Sequence, residues 1–239
     1  MIPYRDPGRD PVFPIAVYAI VALNVAVFVH ELSFGPVPAR EAFINDYALI
    51  PFDLTHGVQL APPAPPTSLT LVTAQFLHAS VPHIFFNMLF LLVFGPEIEF
   101  LTGHVRFVAF YLLCGVLGGA ADISVMTASH VPGIGASGAI AGVLGAYLLR
   151  FPTRGIETIV PLGCLPLFFR LPAYLVIGLW ALAQFVHGFG SLSDRVLSEQ
   201  GGGTAYFAHI GGFLAGVLTI SFFSQRRPAR GRRRFKYYY

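Results

Sequence analysis

The chain has 239 residues, of which 55% are apolar and only 11% are charged, and its formal net charge is +3. Soluble domains usually devote about a quarter of their residues to charged side chains. A soluble domain of this length cannot bury so much apolar surface in its core. The composition therefore excludes an ordinary soluble protein and favours one that crosses a membrane several times.

Six apolar segments fit helices that cross a bilayer, which takes about 20 residues of helix. We interpret the first as a retained span, because it has too little basic charge for a signal peptide and no small-residue cleavage site near Phe28. The fourth is short, with about thirteen residues before Arg150. The predicted fold is thus an all-α membrane protein with six transmembrane helices. The predicted spans are residues 13–30, 83–100, 107–126, 137–149, 167–189 and 205–223.

Two of the connections between the predicted spans are too long to be simple turns. Residues 31–82 form a long loop with the proline-rich run APPAPPTS, and residues 190–204 form a polar, glycine-rich loop that we expect to be mobile. No internal repeat is visible, which argues against an inverted-repeat transporter. The spans therefore form one predicted domain, residues 1–225, followed by a basic tail, residues 226–239.

Basic residues cluster on one side of the predicted bundle. Alternating the six spans from a cytoplasmic N-terminus puts thirteen of the fifteen Lys and Arg residues on one side, seven of them in the tail. The positive-inside rule therefore predicts that both termini are cytoplasmic, and we expect a location in the cell (plasma) membrane. Because the tail fits contact with anionic lipid, we expect the bilayer and not nucleic acid as its partner.

Polar side chains on three predicted helices fall at one depth. At a rise of about 1.5 Å per residue, Ser137 lies about 20 Å from the cytoplasmic end of its span, His209 about 21 Å and Asn87 about 18 Å. His83 lies one turn beyond Asn87. Buried polar residues in a membrane are costly and tend to mark function, so this shared level predicts a site.

Small residues explain how two of these helices approach each other. Faces of small residues three or four positions apart let two backbones pack closely. Such faces are formed by Gly138, Gly142 and Gly145 on the fourth span and by Gly212 and Gly216 on the sixth. If they meet, the imidazole of His209 reaches Ser137, and a base at that distance makes serine a nucleophile. Taken singly, a glycine face is ordinary packing, and a serine at a helix start is often an N-cap.

Asn87 and His83 supply hydrogen-bond donors to the same predicted site. They are four positions apart and so share one helix face, and a side-chain amide and a ring N–H both donate. The oxyanion of a tetrahedral intermediate needs such donors, whereas the structural alternative for Asn87 is a bond to a neighbouring helix. No HExxH motif occurs, which excludes that metalloprotease site, and we expect no metal and no cofactor.

Three segments resemble the rhomboid family of intramembrane serine proteases in content, order and spacing. They are HASVPHIFFNMLFLLVFGPEIE (78–99), GASGAIAG (135–142) and AHIGGFLAG (208–216). The resemblance implies a six-helix rhomboid-like bundle in which Ser137 is the nucleophile and His209 the general base. It also implies that Asn87 and His83 stabilise the oxyanion, and that the reaction passes through an acyl-enzyme.

The resemblance further implies substrates and supporting residues. The substrates would be membrane proteins whose transmembrane segment is cleaved near the outer leaflet. His78 and Glu99 match family positions with structural roles. Residues 190–204 and the fifth span, with Trp180 and Gln184, would form a gate for substrate entry.

One position departs from the family pattern. Some members carry an aromatic residue four positions after the serine, stacked against the catalytic histidine, and that position is Ala141 here. Something else must then orient the ring of His209. The alternative function is an inactive rhomboid-like scaffold that binds membrane proteins. Members of that kind typically lack the serine or the histidine, and this chain has both.

Overall fold

A computed structural model describes residues 1–10, 12–35, 37–58, 60, 64–162, 165–197 and 205–225. Most of these residues are helical, and short 3₁₀ helices cover Thr67–Leu69 and Ala74–Phe76. The other elements, in chain order, are β1 (Ile2–Arg5), α1 (Ile15–Ser33), α2 (Val37–Tyr47), α3 (Pro51–Thr55), α4 (Thr70–Thr73), α5 (Val81–Thr102), α6 (His104–Val125), α7 (Ser137–Arg150), β2 (Gly155–Leu162), β3 (Leu165–Pro172), α8 (Ala173–Leu197) and α9 (Tyr206–Phe223).

The long helices overlap the six predicted spans. Among the described residues, five helices are long and apolar enough to cross a membrane: α1, α5, α6, the 173–190 part of α8, and α9. The fourth span, α7, is a shorter apolar helix of 14 residues. The predicted tail, residues 226–239, and positions 198–204 of the second predicted loop lie outside the described residues.

The fifth span begins later than predicted, because residues 165–172 form a strand and α8 starts at Ala173. The strands β1, β2 and β3 form one antiparallel sheet in that order, so the all-α prediction was wrong in this part of the chain. An apolar run alone does not distinguish a strand from a helix. Pro172 would have fallen inside the predicted helix, where proline costs about 3 kcal/mol.

The long predicted loop, residues 31–82, is largely folded. It contains α2, α3, α4 and both 3₁₀ helices. Leu49 and Gly133 exchange two backbone hydrogen bonds of 3.0 and 2.8 Å, and the N–H of Gly135 donates to the carbonyl of Ala74. These bonds fix the short segment that leads into α7.

Helix α7 lies at the centre of the bundle, with every residue from Gly138 to Tyr147 buried. It packs against α9 backbone to backbone. A Cβ added at Gly212 would lie 2.0 Å from the carbonyl oxygen of Gly138, and one added at Gly216 would lie 1.9 Å from that of Gly142. The predicted contact between the glycine faces of the fourth and sixth spans is therefore confirmed.

Glu99 joins two helices at the end of the bundle opposite Ser137. Its carboxylate accepts hydrogen bonds of 2.8 Å from the backbone N–H groups of Ala16 and Val17, and it also contacts the ring of His104. The first N–H groups of a helix have no intrahelical acceptor, and a negative charge there is favourable. Glu99 thus caps α1 from the neighbouring α5.

Candidate active site

Ser137 is the first residue of α7, and its hydroxyl does not cap the helix. The N-cap residue is Ala136, and no side chain caps this end. Instead, Ser137 Oγ lies 2.7 Å from Nε2 of His209. Just before it, Gly135 has φ of +120°, a region that other residues rarely adopt, and a Cβ there would lie 2.8 Å from the ring of His83. The glycine therefore lets the chain turn into α7 against that ring.

His209 is the fourth residue of α9, and only 8% of its surface is exposed. Gly212 lies three residues further along the same helix, at the point where α9 touches the backbone of α7. The close approach of the two backbones leaves the imidazole and the hydroxyl one hydrogen bond apart. The predicted contact between Ser137 and His209 is present.

Gln184 of α8 is the second hydrogen-bond partner of the His209 ring. Its Oε1 lies 2.7 Å from Nδ1 of His209, while its Nε2 donates to the carbonyl of Trp180 at 3.4 Å. Because the amide nitrogen is directed to that carbonyl, the oxygen faces the imidazole and accepts from Nδ1–H. The proton is then on Nδ1, and the lone pair of Nε2 faces Ser137.

Trp180 supplies the aromatic neighbour that Ala141 does not. The centroid of its ring lies 5.8 Å from that of His209, with the planes 39° apart, and Ala141 is fully buried inside α7. The sequence assigned Trp180 and Gln184 to a gate, and their contact with the histidine was missed. The sequence carries only a partial signal: Gln184 lies in an apolar span, four positions after Trp180, and therefore shares a helix face with it.

The four predicted site residues line one cavity. Its volume is about 630 Å³, and its lining includes Ser137, His209, His83 and Asn87. Asn87 is 8% exposed, and its Nδ2 has no hydrogen-bond partner among the described residues. An unpaired buried N–H costs free energy, and this one lies in the wall of the cavity. The exposed Ser80 also lines it, so the cavity opens at the surface of the protein.

His78 stands behind the cavity in the segment before α5. Its backbone N–H donates to Oε1 of Glu31 at 3.1 Å, and its ring centroid lies 5.0 Å from that of His83. Burial, together with the smaller effect of the charge on His83, lowers the pKa of His78 to about 4. The ring is therefore neutral near pH 7 and supports the wall as an uncharged group.

The arrangement has the parts of a nucleophilic site. A serine hydroxyl touches an imidazole, a third group fixes the tautomer of that imidazole, and an unpaired amide donor stands in the same cavity. This combination fits acyl transfer, in which a base activates the serine and preorganised donors bind the oxyanion. The catalytic roles of the four residues remain predictions.

The chain is similar to known proteins over most of its length. A sequence model of the Rhomboid domain matches residues 66–226, more than half of the chain. Rhomboid protein 1, mitochondrial, of Saccharomyces cerevisiae is 26% identical over 229 residues, covering 92% of this chain and 56% of that protein. RHOMBOID-like protein 1 of Arabidopsis thaliana is 28% identical over 254 residues, covering 92% of this chain and 58% of that protein. Rhomboid protease GluP of Bacillus subtilis is 41% identical over 78 residues, covering 33% of this chain and 15% of that protein.

The similarity covers the region that builds the site. The matched range includes α5, α7, α8 and α9, the helices that carry the residues around the cavity. The chain spans a little over half the length of the first two relatives. With its several long apolar helices, it is a membrane protein, and it belongs to the rhomboid family.

Proposed function

We propose that the chain is an intramembrane serine endopeptidase that cleaves the transmembrane segment of other membrane proteins near the outer leaflet. The observation that carries the proposal is the 2.7 Å contact between Ser137 Oγ and His209 Nε2. The family includes proteins named as proteases, such as the Bacillus relative. Ser137 is hydrogen bonded to the base His209, and His209 is hydrogen bonded to Gln184. This is the arrangement of an activated nucleophile.

The proposed reaction starts with attack of Ser137 Oγ on the carbonyl carbon of the scissile bond. The hydroxyl proton passes to Nε2 of His209, whose Nδ1–H is held by Gln184. The imidazolium then gives that proton to the leaving amine, so the C–N bond breaks and an acyl-enzyme on Ser137 remains. Water that enters the cavity is deprotonated by the same imidazole and hydrolyses the ester.

The proposed oxyanion site lies between α5 and the start of α7. The unpaired Nδ2 of Asn87 and the ring of His83 line the cavity beside Ser137. The first N–H groups of α7 also lack intrahelical acceptors, and the positive end of the helix dipole favours an anion there. The developing negative charge would meet donors already fixed in place, which is what makes such a site effective.

The proposed topology has six crossings, with both ends in the cytoplasm and residues 1–225 as the protease domain. It rests on the six apolar helices and on the distribution of Lys and Arg. The plasma membrane stays a prediction. The yeast relative is named as a mitochondrial protein, and the Bacillus relative comes from a bacterium.

The proposal is tested with purified chain in proteoliposomes and a reporter protein that has a single transmembrane segment. We expect two reporter fragments, and a fluorophosphonate probe should attach to Ser137, as located by peptide mass spectrometry. If the reporter stays intact and copurifies with the chain while the probe leaves Ser137 unmodified, the chain is the inactive scaffold and the proposed protease activity is wrong.

Gln184→Leu is expected to lower kcat about 10- to 100-fold, the range found when the hydrogen-bond partner that orients a metal-binding histidine is removed. The leucine cannot accept the Nδ1–H of His209, so the ring loses the bond that fixes its tautomer. Reporter affinity is set by the rest of the cavity, so KM should change little. Steady-state cleavage of the reporter measures both constants.

Two variants make the Gln184 result specific. Gln184→Glu keeps an oxygen facing Nδ1 and should retain clearly more activity than Gln184→Leu. Leu182→Ala alters α8 at a side chain that is 57% exposed and should behave like the unchanged chain. Equal kcat values for Gln184→Leu and Leu182→Ala would remove Gln184 from the mechanism.

Asn87→Ala is expected to lower kcat by roughly 10²- to 10³-fold, the usual effect of losing one oxyanion donor. The donor is neutral and unpaired in the structure, so its removal should not weaken the fold. The cleavage assay, run beside a thermal unfolding curve, separates the two effects. Unchanged turnover with Asn87→Ala would show that the oxyanion is bound elsewhere.

A further inference from the structure

The hairpin of β2 and β3 is uncharged between its turn and the Glu157–Arg170 pair. Glu157 lies opposite Arg170, and no described residue nearer the turn, from 158 to 162 or from 165 to 169, carries a charge. Side chains on both faces of β3 are exposed: Leu165 is 70% exposed and Phe168 is 64% exposed. A strand that faces water on one side normally alternates apolar with polar residues, and β3 does not.

Strand β1 is the strand of this sheet that packs against the side of the helix bundle. Asp6, just after β1, accepts a hydrogen bond of 2.6 Å from the hydroxyl of Tyr147, near the end of α7. Further along β1, Tyr4 lines one cleft with Leu89 of α5. Leu89 lies thirteen residues before the end of α5 at Thr102, which is about 20 Å along the helix axis. Strand β1 therefore lies beside α5, along a cleft that Arg5 and Arg9 also line.

The apolar surface of the hairpin continues onto a helix that is long and apolar enough to span the bilayer. Strand β3 ends at Pro172, and α8 begins at the next residue. From Ala173 to Val186 the exposed side chains of α8 are apolar, with Tyr174, Leu175 and Leu179 nearest to the sheet. The 173–190 part of α8 meets the length and hydropathy of a membrane span. The exposed apolar side chains of the hairpin and those of α8 thus form one continuous surface, at similar depths along the bundle.

Two proline residues remove backbone donors where lipid would leave them unsatisfied. Pro161 and Pro166 face each other across the hairpin. Neither has an N–H, so this rung is not hydrogen bonded and the two nitrogens face the outer edges. Unpaired N–H groups are very costly in hydrocarbon, and Pro172 removes another one at the base.

We propose that the outer part of the β2–β3 hairpin lies at the membrane, where its exposed apolar side chains contact lipid acyl chains. It occupies the leaflet at which α7 ends, with Glu157 and Arg170 near the headgroups and Leu165 deeper. The hairpin is then a non-helical membrane element that leads into α8. This assignment does not depend on the proposed protease activity.

The experiment reads the depth of a tryptophan placed on the hairpin. Trp180 is the only tryptophan of the chain, so a Trp180→Phe background carries either Phe168→Trp or Leu165→Trp. Leu182→Trp on the exposed side of α8 is the matched lipid-facing control. Each variant is reconstituted in phosphatidylcholine vesicles with brominated acyl chains, and N-acetyltryptophanamide in buffer is the aqueous reference. Fluorescence requires no activity from these variants.

We expect brominated lipid to quench Phe168→Trp and Leu165→Trp by at least half as much as Leu182→Trp, with blue-shifted emission and little quenching by aqueous iodide. Quenching by iodide at the level of the aqueous reference would overturn the proposal, because the hairpin would then stand in water. A blue-shifted tryptophan that neither quencher reaches would also overturn it, because protein, such as a second copy of this chain, would cover the face.

Discussion

Ser137→Ala is expected to lower reporter cleavage by roughly 10⁴-fold or more, the scale on which serine hydrolases lose activity without their nucleophile. Oγ is the atom that would carry the acyl group, and the 2.7 Å contact with His209 Nε2 is what activates it. His209→Ala should lose a similar factor. Because the two side chains act as one unit, the double variant should be little worse than either single one.

The control for this result is integrity of the fold. Ser137 does not cap α7, so Ser137→Ala should keep the thermal unfolding midpoint of the unchanged chain while the fluorophosphonate adduct disappears. Retained cleavage in a well-folded Ser137→Ala or His209→Ala protein would contradict the dyad. Loss of both folding and cleavage in Ser137→Ala would contradict the purely chemical role assigned to the hydroxyl.

Gly216→Ala is expected to destabilise the helix bundle by about 3 kcal/mol, the upper part of the range for overpacked cores, and to abolish cleavage with it. The new Cβ would lie 1.9 Å from the carbonyl oxygen of Gly142 and 2.6 Å from its Cα. Both neighbours are backbone atoms of a buried helix, so they cannot rotate away. Helices α7 and α9 must separate, and Ser137 and His209 separate with them. Thermal unfolding in detergent measures the loss.

Gly178→Ala is the matched substitution in a helix with free space. A Cβ at Gly178 meets no atom within 4 Å, so the same glycine-to-alanine change there should be neutral or stabilise α8 by up to about 1 kcal/mol. The difference between the two variants isolates the backbone contact from helix propensity. Equal unfolding midpoints would mean that α9 does not need its glycine face against α7.

Much of the site could be predicted from the sequence, because the position of a residue along a membrane-spanning helix determines its depth in the membrane. Ser137, His209 and Asn87 share a level, and the structure brings all three to one cavity. The partners of His209 on α8 were not predictable in the same way. Their contact depends on how α8 is rotated about its own axis and how closely it approaches α9, and neither is a property of a single segment.

The sequence alone determined the helical membrane character and the close pairing of the fourth and sixth spans. Apolar length and glycine spacing are properties of single segments. The first decides whether a helix can cross the hydrocarbon of a membrane, and the second decides how closely two helix backbones can approach. Only the tertiary structure decided that residues 155–172 form a hairpin, because an apolar run fits a strand or a helix until its neighbours are known. Only the tertiary structure decided that Gln184 and Trp180, not an aromatic at Ala141, hold the ring of His209. Hydrogen-bond and ring contacts between different helices depend on packing angles, which no single stretch of the chain encodes.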